Sequence, residues 1–273
     1  MKPCQADCII PFSTFQTTLK RPSKNAFSHV RRDVKHDTYF EKVEKIMKKQ
    51  VFVINGKEYT GKKSRYCVNV SPVHVSDSMS GKMTGIPSIS TSCLENPICK
   101  ARMQDAESIC AHCYAAATLT RYTSAGKAMS ANYELLSGSV LPLDVLPRFA
   151  NVAIVRIESF GDVGTYEHAV NYANIARVNP SVTFAWWTKN AHIVERVFAD
   201  FGKPENVILI ESSNKVNEQK TDVSVFSDKV FTVFDAETIE KENVNVNCGA
   251  RQCATCRRCY SRDTDAIVNE KLN

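Results

Sequence analysis

The sequence predicts an α/β protein, a partial or irregular (β/α) barrel of parallel strands with a small N-terminal hairpin and cysteine-rich metal-binding loops. Three observations predict it. From residue 150 onward, short apolar runs alternate with stretches of helical spacing, the pattern of βαβ crossovers. Those runs end in polar residues, as strands do where a parallel sheet binds ligands. Eight of the eleven cysteines fall into two groups of four.

Taken in order, residues 1–37 are rich in Ser, Thr, Lys and Pro and read as an irregular lead-in. "TYFEKVEKIMKKQ" spaces Phe40, Val43, Ile46 and Met47 along one helical face. "VFVINGKEYTG" alternates about Asn55-Gly56, the strongest short hairpin signal. Then "NVAIVRIESFGD", "SVTFAWWTKN", "NVILIESSN" and "KVFTVFDAE" read as strands, with "TYEHAVNYANIARV" and "AHIVERVFADF" as the helices between the first three. Four clear strands fall short of an eight-stranded ring, hence a partial barrel. The expected organisation is a basic arm, short helix and hairpin over 1–65, a barrel-like core over 66–247, and a cysteine-rich segment over 248–273. Of the adjacent Trp186 and Trp187, strand alternation requires one to face the helices.

Composition excludes several classes. With 43% hydrophobic and 23% charged residues and no apolar run of about 18, the chain reads as a globular protein with no membrane span. The N-terminus lacks an apolar signal core, so the expected location is the cytoplasm. Through Arg65 there are 15 Lys and Arg against 6 Asp and Glu, whereas the remainder carries 20 against 23. That basic arm is a candidate contact for nucleic acid or another polyanion. GxSxG, P-loop and HExxH motifs are absent from the sequence. His29, His36, His74, His168 and His192 are scattered, which favours surface or packing roles.

In a long chain of a reducing compartment, cysteines point to metal rather than disulfides. Cys93, Cys99, Cys110 and Cys113 are spaced C-x5-C-x10-C-x2-C, and a CxxC turn directs both sulfurs to one side while backbone N–H groups stabilise thiolates. Cys248, Cys253, Cys256 and Cys259, spaced C-x4-C-x2-C-x2-C, approach the runs that hold iron–sulfur clusters. Zinc is the alternative for both, and it would make the chain a zinc-stabilised nucleic-acid-binding protein without catalysis. Arg251, Arg257, Arg258 and Arg262 flank the second group and would offset thiolate charge. His112 reads as a spacer, Cys67 as a small buried hydrophobe, and Cys4 and Cys8 as free thiols.

The strand ends supply the remaining candidates. Glu158, Asp162 and Lys189 are the expected catalytic groups, and Ser159, Gly161 and Glu211 the expected cofactor-binding ones. Helix capping is the competing role for such residues.

"GIPSISTSCLENPICKARMQDAESICAHCYA", Arg121, Asn132, "RIESFGDVGTYEHAVNYANIARVNPSVTFAWWTKN" and "CATCRRCY" together resemble the phage "gene product 88" family over roughly residues 85–260. More distantly, the CYA turn and the strand–GD–helix–strand–TK order are similar to radical S-adenosylmethionine barrels. That resemblance implies a 4Fe-4S cluster on three cysteines, with an open iron that binds S-adenosylmethionine, and an electron donor as partner. Cys110, Cys113 and Tyr114 match the CxxCY half of the motif, and the third ligand is Cys99 or Cys93. If both bind, the cluster is closed and serves structure or electron transfer. The resemblance further implies that Glu158, Ser159 and Asp162 hold a polar cofactor, and that the host cytoplasm is the site of action. An anionic or nucleic-acid-derived substrate is expected from the arm and Lys189.

Overall fold

The computed structural model describes residues 50–272. The lead-in, the helix expected around Phe40–Met47, Cys4, Cys8, His29, His36 and most of the basic arm lie outside them.

Asn55 and Gly56 adopt left-handed φ of 51° and 77°, the type I′ geometry that matches strand twist, and so join β1 (Val51–Ile54) to β2 (Lys57–Thr60) as an antiparallel hairpin. The main sheet has six strands, all parallel: β3 (Ser88–Ile89), β4 (Ile154–Ile157), β5 (Thr183–Thr188), β6 (Val207–Ser212), β7 (Lys229–Phe234) and β8 (Ile267–Lys271). They lie side by side in chain order, with β3 and β8 at the edges, and among the described residues no strand joins those edges into a ring. The four expected strands are β4 to β7. The two edge strands went unread because one is two residues long and the other turns polar after Val268, which leaves no period to detect. Cys67 is buried as expected and forms a lone antiparallel bridge with Phe149.

Between β3 and β4 run α1 (Pro97–Gln104), α2 (Tyr114–Arg121) and α3 (Thr123–Gly138). Next, α4 (Tyr166–Arg177) and α5 (Ala191–Phe201) connect β4 to β5 and β5 to β6, and α6 (Ala236–Glu242) and α7 (Cys253–Cys256) lie between β7 and β8. Crossovers of one hand between strands in consecutive order put their helices on one face. Val155, Ile157, Phe184, Trp186, Val207 and Leu209 accordingly meet α3, α4 and α5 in the main core. Trp186 packs edge-on against Tyr172 and Phe198 at 5.3 and 6.0 Å.

Among the described residues that arrangement leaves the opposite face without crossover helices between consecutive strands β4 to β6. Ala185, Trp187, Ile208 and Ile210 point there, and the segment carrying Cys253, Cys259 and Tyr260 covers them. Trp187 stacks near Tyr260, with ring centres 5.8 Å apart. The two tryptophans thus face opposite sides, as alternation requires. No helix among the described residues is long and apolar enough to cross a membrane.

Candidate functional site

The carboxyl ends of β3 and β4 are locked together by polar contacts. Ser88 Oγ meets Ser90 Oγ at 2.9 Å and Ser159 Oγ at 2.8 Å, while the Ser159 N–H donates to Ser90 Oγ at 2.9 Å. Asn96 donates from Nδ2 to the Asp162 carbonyl at 2.8 Å and accepts from the Ile98 N–H, capping α1. Gly161 is required by close approach: a Cβ there would lie 2.6 Å from both the Thr91 carbonyl oxygen and Oγ1. The loop carrying Cys93 and Cys99 is therefore seated on the "ESFGD" turn.

Glu158 is the buried anchor of that seat. Its backbone is left-handed, φ 58°, and its carboxylate accepts from the Thr91 hydroxyl (2.6 Å), the Thr91 N–H (3.0 Å) and the Tyr172 hydroxyl (2.6 Å). His168 lies behind it, with Nδ1 accepting from the Gly164 N–H, so the proton sits on Nε2, which stands 3.5 Å from Glu158 without closing a hydrogen bond. Burial holds His168 neutral, pushed down to about 3. Burial pushes Glu158 up to about 7, against the hydrogen bonds from Thr91 and Tyr172 that favour its charge.

A carboxyl raised on folding stabilises the fold most when protonated, below its ordinary value of 4.5, and that contribution is lost as pH rises through about 7. The loss amounts to about 3 kcal/mol. His168, lowered on folding, has the opposite slope: its contribution is complete above its ordinary value of 6.5 and fades as pH falls towards about 3. Glu158→Gln removes only the first slope, so its stability relative to the parent should increase between roughly pH 5 and pH 7, read as urea midpoints across that range. A constant difference would refute the titration.

Asp162 bridges the ends of β4 and β5. Its carboxylate accepts from the Thr188 hydroxyl (2.6 Å), the Lys189 N–H (2.9 Å), the Val163 N–H (2.8 Å) and Arg102 (3.5 Å). Burial raises it, opposed by Thr188, Lys189 and Arg102. Lys189 is half-buried, and its charge acts on both Asp162 and Cys113. Glu211 turns into the loop after β6, where it accepts from the Ser224 N–H (2.7 Å) and the Ser227 hydroxyl and pairs with Lys220 at 3.4 Å. Asp235 caps α6 by accepting from the Thr238 N–H at 2.7 Å, so for that strand end the capping role is the observed one. These carboxylates hold loops in place with bonds to the protein itself.

Around this seat the first cysteine group gathers. Cys93 and Cys99 are buried in one small core with Ala115, Leu119 and Met129, against which Cys113 packs. Cys110 lies in a short 3-10 turn, Ile109–His112, whose Ile109 N–H donates to the Asn214 carbonyl at 2.8 Å. Cys113 is the N-cap of α2, and the Ala115 and Ala116 N–H groups point at its sulfur without closing a capping bond. Facing the Cys93 thiol, and aided by those N–H groups, Cys113 is lowered to about 6, whereas Cys93 is driven up because the pair keeps one proton. Burial raises Cys99. His112 is exposed.

Cys248, Cys253, Cys256 and Cys259 line a single cavity of about 30 Å³ with Lys82, Arg257, Arg258 and Tyr260. Arg262 turns away to Asp228 and the Val207 carbonyl, and Arg251 is exposed. All nine described cysteines are free thiols. Among the described residues, no three Cys, His, Asp or Glu side chains stand at metal-holding separation.

A cleft of about 220 Å³ is lined by Ser78, Met79, Ser80, Met83, Tyr114, Arg156, Ser159 and Phe160. Arg156 is the residue that the sequence reading passed over. Its signal is a lone charge in the apolar run "AIVRI" at a position that alternation sends to the face away from the crossover helices.

A six-stranded parallel α/β sheet, with one cysteine group seated on its strand ends and a second covering its bare face, defines the class of protein. The chain belongs to the Gene product 88 family, whose model matches residues 52–270. Neither curated proteins nor solved structures give a match.

Proposed function

We propose that the chain is an iron–sulfur protein, with one 4Fe-4S cluster on cysteines of the group Cys93, Cys99, Cys110 and Cys113 and a second on Cys248, Cys253, Cys256 and Cys259. The observation that carries this reading is that the described cysteines are all free thiols, with Cys93, Cys99 and Cys113 meeting in one small core and Cys248, Cys253, Cys256 and Cys259 lining one cavity. The donor chemistry fits, since soft thiolates select iron or zinc, and Lys82, Arg257 and Arg258 would offset the charge of the second centre. The first group follows the first parallel strand, and "ESFGD" ends the second. That order supports a partial-barrel enzyme of the radical S-adenosylmethionine type, in which an open iron would supply reductive cleavage of the cofactor. An electron donor would be its partner, and an anionic or nucleic-acid-derived molecule its substrate.

A zinc ion is the second reading for the C-terminal group, favoured by its small cavity of about 30 Å³. Protein produced and kept without oxygen should be brown, absorb near roughly 400 nm and carry several irons and sulfides per chain. Colourless protein with about one zinc per group would replace the iron reading with a structural one.

A further inference from the structure

Arg156 is a half-buried charge with no carboxylate partner among the described residues. It projects from β4 onto the face covered by the C-terminal cysteine segment, where its guanidinium carbon lies 3.9 Å from the centre of the Trp187 ring. Stacking occupies one face of the guanidinium and leaves its N–H groups directed in the plane. Of these, Nη1 makes only a long contact of 3.8 Å to the Met83 sulfur, and the buried Nε has no partner. No carboxylate among the described residues forms an ion pair with it, and the acidic groups whose charge reaches it are the Tyr114 and Tyr260 hydroxyls and the Cys253 and Cys259 thiols. Unsatisfied guanidinium donors are a standing cost to the fold, and a protein that needed only packing here would do better with methionine.

The cleft explains what that cost serves. Arg156 is the one formal charge among its lining residues, and no carboxylate shares the lining. Tyr114 follows Cys113 directly and is 65% exposed. Its ring centre stands 6.5 Å from that of Phe160, and its hydroxyl is fixed by donation to the Ser159 carbonyl at 2.5 Å. Met79 and Met83 add apolar surface, and the exposed Ser78 and Ser80 form the rim.

We infer that this cleft binds a small molecule bearing an oxyanion, carboxylate or phosphate, which the Arg156 fork receives while a flat ring lies against Tyr114 and Phe160. A guanidinium presents paired donors at the spacing of two such oxygens, so either anion satisfies the same chemistry. This deepens the proposed function, on whose anionic substrate it rests, by naming the ligand class and the cleft that takes it, and the metal content is tested separately.

The test is calorimetric titration of the full-length chain, with iron and zinc content measured on the same preparation. Phenyl phosphate, benzoate, inorganic phosphate and benzyl alcohol serve as probes. Phenyl phosphate or benzoate should bind, the better of the two identifying the anion. Benzyl alcohol should bind about tenfold more weakly or worse, as should inorganic phosphate, which lacks the ring. Arg156→Met should lose the anionic probe by about tenfold or more while remaining folded, and Arg156→Lys, which keeps the charge without the fork, should lose part of it. If Arg156→Met does not fold, the lysine variant and the parent titration decide. Overturning results are no binding of either aromatic anion at millimolar concentration, equal binding of benzyl alcohol, or anion binding unchanged by the Arg156 variants. A metal-free chain that binds phenyl phosphate through Arg156 would sink the cluster reading alone, and an iron-loaded chain indifferent to all four probes would sink this one alone.

Discussion

Gly161→Ala should lower stability by about 3 kcal/mol and detach the first cysteine loop from the sheet. The added methyl group would lie 2.6 Å from the Thr91 carbonyl oxygen and Oγ1 and 2.9 Å from Glu158 Oε2. A flexible side-chain tip yields cheaply to such a clash, but here the first obstacle is backbone. Thr91 cannot retreat without breaking its two bonds to Glu158, and Glu158 in turn is held by Tyr172. Loss of the seat should uncover Cys93, two residues beyond Thr91. The expected result is a lower denaturant midpoint together with fast reaction of the normally buried Cys93 and Cys99 thiols with a thiol reagent. A variant with the parent midpoint and slow thiol reaction would mean that the loop is anchored elsewhere.

Cys256→Ser should have an effect that depends on metal. Cys256 is exposed, and in the metal-free chain its replacement by serine should change stability by no more than about 0.5 kcal/mol. In the metal-loaded protein the same change should remove a ligand, release the C-terminal centre and lower the melting temperature sharply, because binding energy at such a site is folding energy. The consequence reaches the sheet, since the segment holding Cys253, Cys259 and Tyr260 covers Ala185, Trp187, Ile208 and Ile210. Paired melting curves with and without metal, alongside metal content, provide the measurement. Equal small effects in both forms would show that the C-terminal group holds no structural centre.

Much of the fold was legible because local patterning carried it. The hairpin at Asn55-Gly56 follows from two residues that tolerate left-handed φ. Strands β4 to β7 and helices α4 and α5 follow from apolar period, and their alternation implies a parallel sheet. Strands β3 and β8 were not legible: a sheet edge of two residues, or one that turns polar after Val268, forms because its neighbour supplies the hydrogen bonds.

The candidate site was legible in composition and not in orientation. Polar residues at the ends of the strands were evident, yet Glu158, Asp162 and Glu211 could equally face a ligand or the protein, and the structure shows each bonded to the protein. Arg156 was missed because a single arginine in a short apolar run carries no spacing information. Its stacking partner Trp187 lies on the neighbouring strand, 31 positions further along the chain.

By itself, the sequence determined the α/β class, the hairpin, four of the six parallel strands and the two cysteine groups, since each depends on residues near one another in the chain. Only the tertiary structure decided that the crossover helices share one face, that the C-terminal cysteines cover the other, and that Arg156 lines a cleft. Those outcomes depend on the order and curvature of packed strands, where residues far apart in sequence are brought into van der Waals contact and burial sets their charge.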